Sequence, residues 1–292
     1  MYILSDKPLV SVVIPCYKHQ AFLERCLNSV AAQTYENIEV VIIDDCSPDN
    51  SVAEITRLIE RIEWKLRFPQ KTKFHPFTHN QGAHNAINYG IANSNGEIIA
   101  LLNSDDMFHP ERIRLMVKQI EQGKHEFVFG GVQYIDAKDQ NITHFNPRAT
   151  IYYRAQQNIR RLPSVGFACL TFNVAISTGN FLFTRSLFEQ VGQFNQYLYC
   201  HDWDFLLRAV MHTEPLFLDQ ELYYYRFHGV NTFESLHEVG PKESSSLLKN
   251  YFAFANSHWT LNSNAPSKLN WPGFFEQFIR WYDLERFQEL AG

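Results

Sequence analysis

The chain has no run of 18 or more apolar residues, so no membrane-spanning helix is expected. Its opening MYILSDKPLV lacks the charged start, apolar stretch and small-residue cleavage site of a signal peptide. The five cysteines (Cys16, Cys26, Cys46, Cys169 and Cys200) form no Cys-x-x-Cys pair and are odd in number. Reduced thiols in a reducing compartment follow. None of the histidines falls in a His-x-His or His-Glu-x-x-His pattern, which argues against zinc. There is no basic arm or Lys/Arg stripe, and the net charge of −5 with a pI near 6.2 argues against nucleic acid as a partner. Gly-x-Gly-x-x-Gly is absent and no glycine-rich loop follows the first apolar run, which sets aside dinucleotide oxidoreductases and nucleotidyltransferases. A cytoplasmic protein is expected, with the inner face of a membrane as the surface it could touch.

What is present is enough for a large core: 292 residues, 45% hydrophobic and 15% aromatic, with the rings concentrated toward the C-terminus. The first half alternates apolar runs with helical spacings. Strands are predicted at Leu9–Pro15, Ile38–Asp44, Lys73–Thr78, Glu97–Leu102 and Phe127–Tyr134. Helices are predicted at Ala21–Gln33, Ser51–Ile62, Gly82–Ala92 and Pro110–Glu121, the last with proline at its start. Trp64–Lys73 reads as an irregular connection and Asp136–Ala175 as a loop-rich basic region. A strand at Gly179–Thr184, helices at Ser186–Val191 and His201–His212, and a strand at Leu222–Phe227 follow, and beyond Gly240 the pattern is helical. Strands apolar throughout, joined by helices, indicate an α/β fold with a largely parallel sheet covered on both faces. Ligands of such sheets bind beyond the carboxyl ends of the strands.

Polar clusters at those ends therefore carry weight. Asn103-Ser104-Asp105-Asp106 follows the fourth strand, and adjacent carboxylates suit Mg²⁺ or Mn²⁺ or, equally, a helix cap. Asp44-Asp45 follows the second strand; it suits a nucleobase or ribose, or again a cap with Ser47 and Asp49. His201-Asp202-Trp203-Asp204 enters a helix, where a carboxylate is either a general base or a helix-dipole partner. Arg226 and His228 close the last strand and could offset diphosphate charge or approach a metal.

Taken together, these residues resemble the family 2 glycosyltransferases, which have the GT-A fold. The resemblance runs from about Leu9 to Phe233, in the family's order. It comprises Val10–Tyr17, Ser29–Tyr35, Val40–Ser47, Asn80–Gly90, Gly96–Asp106, Gly179–Phe194 and His201–Arg208. It implies a Rossmann-like, mixed, mostly parallel sheet flanked by helices. The catalytic domain would span 1–239, its nucleotide-sugar half about 1–135 and its acceptor half about 136–239; residues 240–292 would be an aromatic-rich helical extension.

The resemblance also implies roles. Pro15 and Tyr17 would floor the nucleotide pocket, Asp45 would hold the base with Asp44 beside it, and Asn80 and Gly82 would lie in the donor-binding segment. Asn103, Ser104 and Asp105 would face the donor; Asp105, Asp106 and His228 would hold Mn²⁺ or Mg²⁺; Arg226 would face the diphosphate; Asp202 would be the catalytic base. The implied reaction moves a sugar from a nucleoside-diphosphate donor, by default UDP-linked, to a hydroxyl of a glycan or lipid-linked acceptor with inversion. Bacterial surface polysaccharide assembly is the implied setting. Three positions depart from the family pattern: Asn103 stands for the usual Asp, Ile87 for a common Arg, and His201 for the usual Glu. They motivate the alternative of a non-catalytic nucleotide-sugar-binding scaffold. The mixed charges among the rings of Trp271–Leu290 favour docking within the protein or to a partner, including a second copy, over peripheral contact with anionic lipid.

Overall fold

The computed structural model describes residues 4–5, 7–123, 125–229 and 238–288. The part of the resemblance running past Gly229 to Phe233, and Leu290 of the ring-rich tail, lie outside the described residues. Eight strands form one mixed sheet: β1 (Val10–Cys16), β2 (Ile38–Asp44), β3 (Thr72–Pro76), β4 (Ile98–Leu101), β5 (Met107–Phe108), β6 (Phe127–Ile135), β7 (Leu182–Thr184) and β8 (Leu216–Arg226). Their order is β3-β2-β1-β4-β7-β6-β8-β5. The β3-β2-β1-β4 half is parallel, with Val10 opposite Ile38 and Ile98; β7 joins β4 and β6 antiparallel.

The continuous apolar runs of β1, β2 and β4 arise because both faces are covered. Val13, Val41, Ile43, Ile99 and Leu101 face α4 (Ala83–Ala92) with its Ala86, Ile87 and Ile91. The alternate set, Val12, Ile14, Val40, Ile42 and Ala100, faces α1 (Leu23–Ala31), α2 (Ser51–Ile59) and α5 (Arg112–Glu121). Gly90 lets α4 press onto the sheet, since a Cβ there would lie 2.4 Å from Val13 Cγ1.

Two stretches expected to be irregular are helical. Ile62–Arg67 forms α3, with Trp64 buried and its Nε1 donating to Thr72 Oγ1 at 2.9 Å. Within 136–175 lie α6 (Pro147–Gln157) and α7 (Val165–Thr171). The start of α6 is legible in hindsight: Asn146 accepts from the N–H groups of Arg148 and Ala149, and Pro147 occupies the first turn. Its apolar stripe is almost missing, because it buries only Ala149 and Gln156. Gly179 belongs to a 3-10 turn, Thr178–Asn180, and not to a strand. The remaining α-helices among the described residues are α8 (Arg185–Val191), α9 (His201–Val210), α10 (Gly240–Ser257) and α11 (Phe274–Trp281). The C-terminal rings join the core: Phe252, Phe275 and Phe278 are buried, and Phe278 meets Phe167 of α7 with centroids 4.6 Å apart. No described helix is long and apolar enough to cross a membrane.

Candidate active site

The carboxyl ends of β1, β2 and β4 open into a cleft of about 990 Å³. One wall carries Pro15, Tyr17, Asp45, Asn80, Gly82, Asn103, Ser104 and Asp105; another carries Tyr199, His201 and Asp202 from the entry to α9. Left-handed backbone at Lys18 (φ 62°) and Cys46 (φ 59°) turns the chain sharply after β1 and β2.

The two β2 carboxylates diverge. Asp44 is fully buried, and its oxygens accept from the Ser47 N–H (2.8 Å) and Ser47 Oγ (2.6 Å). It caps the turn and is absent from the cleft lining, so its expected donor contact is replaced by a structural one. Asp45 lines the cleft and accepts from the Gln81 and Gly82 N–H groups at 2.6 and 2.9 Å. Burial raises its pKa against those two bonds. Each oxygen keeps a lone pair for a ligand. Asn80 Nδ2 donates to the Asp45 carbonyl, which ties the donor-binding segment to this strand end.

The carboxylates after β4 also divide. Asp105 accepts from His228 Nε2 at 2.9 Å, and His19 Nε2 lies 3.6 Å from the same oxygen. Burial pushes the Asp105 pKa up, but His19 and His228 outweigh it and the net shift is downward. Ser104 Oγ contacts His19 Nδ1 at 2.8 Å and so fixes the ring. The ligand atoms of His19, Asp105 and His228 all lie within 4.8 Å of one another, a donor set that fits a divalent cation. Asn103, in place of a carboxylate, donates to Ser177 Oγ at 2.8 Å.

Asp106, expected among the metal ligands, points into the protein. It is 1% exposed, and its two oxygens accept from Tyr223 Oη and from the Arg226 N–H. Burial and the neighbouring Asp105 push its pKa well up. Arg226, expected at the diphosphate, is 0% exposed and braces the backbone instead, donating to the carbonyls of Asp105 (2.7 Å) and Asp136 (2.9 Å) and to Asp139. The residue overlooked in the sequence is His19. It follows the first strand as the two acidic clusters follow the second and fourth, so strand-end position was its signal. The roles of Asp106 make a stability prediction. Asp106→Ala removes the acceptor of the buried Tyr223 hydroxyl and of the Arg226 N–H, costing about 1–3 kcal/mol for each, read as a lowered urea midpoint.

Asp202 sits in the first turn of α9, where its Oδ1 accepts from the Trp203 N–H at 2.7 Å. Burial pushes its pKa up to about 7, against the Trp203 N–H and the Asn173 side chain. His201 contacts Thr178 Oγ1 at 3.2 Å, and burial pushes its pKa down to about 4, so it is neutral near pH 7. Replacing the family's Glu by this neutral ring leaves Asp202 without a second carboxylate beside it.

The mixed sheet with helices on both faces and a cleft at its strand ends matches the fold of GT-A glycosyltransferases. The chain belongs to glycosyltransferase family 2: the model described as "Glycosyl transferase family 2" matches residues 11–192. It is 31% identical over 218 residues to an uncharacterized glycosyltransferase of Rickettsia felis, a match covering 74% of this chain and 33% of that protein. It is 38% identical over 134 residues to an uncharacterized glycosyltransferase of Nostoc sp., covering 46% of this chain and 39% of that one. The chain thus spans about a third of the length of the first of these curated relatives. Among solved structures it resembles S. aureus TarS 1-349 in complex with UDP-GlcNAc (TM-score 0.61, 17% identity, 83% of this chain and 65% of that one). It also resembles the mannosyltransferase PcManGT from Pyrobaculum calidifontis in complex with GDP-Man and Mn²⁺ (TM-score 0.61, 17% identity, 85% and 64%). At these identities the structural likeness establishes the fold.

Proposed function

We propose that this chain transfers a sugar from a nucleoside-diphosphate sugar to an acceptor hydroxyl with inversion, and that the donor's diphosphate is held through a divalent cation. The observation that carries this reading is the placement of Asp202, its pKa pushed up to about 7, in the same cleft as His19 and Asp105, which form a cluster of metal-ligating groups with the buried His228 side chain. A carboxyl poised near neutrality can take a proton from an attacking hydroxyl.

The residues divide the work along the cleft. Pro15 and Tyr17 floor the nucleotide end, Asp45 offers carboxylate oxygens to the base or ribose, and Asn80 and Gly82 hold Asp45 in place. Asn103 and Ser104 contribute amide and hydroxyl groups beside Asp105. His19, Asp105 and His228 would hold the cation, and two imidazoles with one carboxylate suit Mn²⁺ better than Mg²⁺. A bound divalent ion would stabilise the negative charge that develops on the leaving diphosphate. Asp202, on the α9 wall, receives the acceptor's proton. A UDP-linked donor, a glycan or lipid-linked acceptor and a place in bacterial surface glycan assembly complete the proposal.

The test is donor hydrolysis, with water standing in for the acceptor. The protein is incubated with MnCl₂ and a panel of UDP-, GDP-, dTDP- and CDP-sugars. Metal-dependent release of one nucleoside diphosphate is expected. Tight nucleotide-sugar binding with no release across the panel, and none when oligosaccharide acceptors are added, would favour the scaffold alternative.

A further inference from the structure

The wall of the cleft that carries Asp202 is held by a carboxylate from beyond the family match. Glu243, in the first turn of α10, accepts from three consecutive backbone N–H groups: Leu198 at 2.9 Å, Tyr199 at 2.8 Å and Cys200 at 3.0 Å. These residues line the cleft and lead directly into α9, whose first turn bears Asp202. Cys200 Sγ adds a contact with Ser244 Oγ at 3.4 Å, and Ser244 itself lines the cleft. Gly240 allows the close approach, because a Cβ there would lie 3.2 Å from two ring atoms of Tyr199. Behind this polar junction α10 is anchored by Leu247, Leu248, Tyr251 and Phe252, in the same core as Phe205 and Leu206 of α9.

The chemistry of the junction is specific. Three N–H groups in succession before a helix present a concave donor surface, and the positive end of the helix dipole lies behind them. A carboxylate is the side chain that can accept all three, because it carries two oxygens with two lone pairs each. Without it these three donors must find water, and the 198–200 backbone loses the carboxylate that holds it against α10. Glu243 lies beyond residue 192, where the family model ends, and beyond Phe233, where the family resemblance ends.

We infer that Glu243 is a positioning residue: the helix after the family domain clamps the 198–200 backbone and thereby sets Asp202 in the cleft. The substrate-facing carboxyl is thus presented jointly by α9 and α10. The consequence for turnover rests on Asp202 being the base; the structural part of the inference does not.

The experiment compares the full chain with Glu243→Ala and Glu243→Gln. Amide hydrogen exchange is followed for a peptide covering 196–204 and for peptides covering β1 and β2. Exchange in 196–204 is expected to rise at least tenfold in the alanine variant and less in the glutamine variant, which keeps one accepting oxygen; β1 and β2 are expected to be unchanged. The titration of Asp202, read from the ¹³C carboxyl signal assigned with Asp202→Asn, is expected to move down by a unit or more as the loosened turn admits water. Among the described residues Tyr199 and Cys200 feel the Asp202 charge, Asn173 hydrogen-bonds it and His201 adjoins it; burial pushes Tyr199 and Cys200 up to about 12 and His201 down to about 4, so none of them ionises near pH 7 to mimic the shift. Affinity for UDP or GDP, whichever the wild type binds, is expected to stay within twofold, while donor hydrolysis falls at least tenfold. Unchanged exchange in 196–204, or an equal rise in β1 and β2, would overturn the inference, as would an unmoved Asp202 titration. If the alanine variant does not fold, the glutamine variant decides on the same readouts. If Asp202→Asn itself hydrolyses donor normally, the base assignment fails, and the exchange and titration results still judge Glu243.

Discussion

Replacing Asp202 by Asn is expected to lower turnover by ~10²–10⁴, the range for loss of an acid–base group, while nucleotide affinity stays within about twofold. The amide is nearly isosteric but cannot accept a proton from the attacking hydroxyl. The residues proposed for the nucleotide lie at the ends of β1, β2 and β4, on different elements from α9. The loss therefore belongs in kcat and leaves the donor dissociation constant alone. The pH profile gives a second reading of the same substitution. Burial holds the Asp202 carboxyl protonated up to about pH 7, and a base works only when ionised. Wild-type kcat should climb about tenfold per pH unit below 7 and level off above it, and the residual rate of the variant should lack that limb. Turnover equal to wild type, or a wild-type profile flat from pH 5 to 8, would remove Asp202 from the chemistry.

Stability should run the opposite way. The folded-state pKa lies above the ordinary carboxyl value, so the folded protein binds the proton more tightly than the unfolded chain. The associated stabilisation is full below about pH 4 and is lost as pH rises to about 7. At pH 8 the wild type carries an ionised carboxylate in a desolvated turn, and Asp202→Asn does not. The variant is accordingly expected to melt higher than wild type at pH 8, with the difference vanishing near pH 4. A residue that costs stability at working pH and is needed for turnover is what a functional site demands.

How far these positions could be read from the sequence depended on whether a residue's neighbours in the chain were also its neighbours in space. The parallel half of the sheet was legible because buried strands write themselves as unbroken apolar runs: Ile38–Asp44 is a strand end to end. α6 was not, since a helix that buries only Ala149 and Gln156 has no stripe to show. At the site, Asp45, Asp105 and Asp202 reach one cleft as their motifs suggested. Asp44 and Asp106 do not, although each sits beside a residue that does. Which member of an acidic pair faces solvent depends on what waits on the other side. For Asp44 that partner is Ser47, three residues on and visible; for Asp106 it is Tyr223 and Arg226, over a hundred residues away and invisible. Arg226 misled for a related reason: a cation near a proposed phosphate site invites an ionic role, but its fork was already spent on the Asp105 and Asp136 carbonyls.

Asp105→Asn and His19→Ala should each weaken Mn²⁺ binding by at least tenfold in the presence of UDP or GDP, whereas Asp106→Asn should leave it within about threefold. The ion's affinity can be read directly from loss of the free Mn²⁺ signal in electron paramagnetic resonance, without knowing the sugar or the acceptor. Asp105 is the anionic member of the cluster, and His19 and His228 approach the same oxygen, at 3.6 and 2.9 Å. A cation seated there would displace those imidazole contacts and take the same three groups as ligands. Removing one ligand of three leaves the ion too few protein donors to compete with water. Asp106 is 1% exposed, is not one of the three clustered ligand groups, and has each oxygen engaged by Tyr223 or Arg226. Asn at that position keeps an acceptor for one of them, so the fold survives and metal affinity is tested separately from stability. The comparison discriminates between two arrangements of the same sequence. If Asp106→Asn abolishes Mn²⁺ binding and His19→Ala spares it, the cation is held by the adjacent carboxylates after β4. The reverse result places it between the ends of β1, β4 and β8, where His19 makes the first strand part of the site.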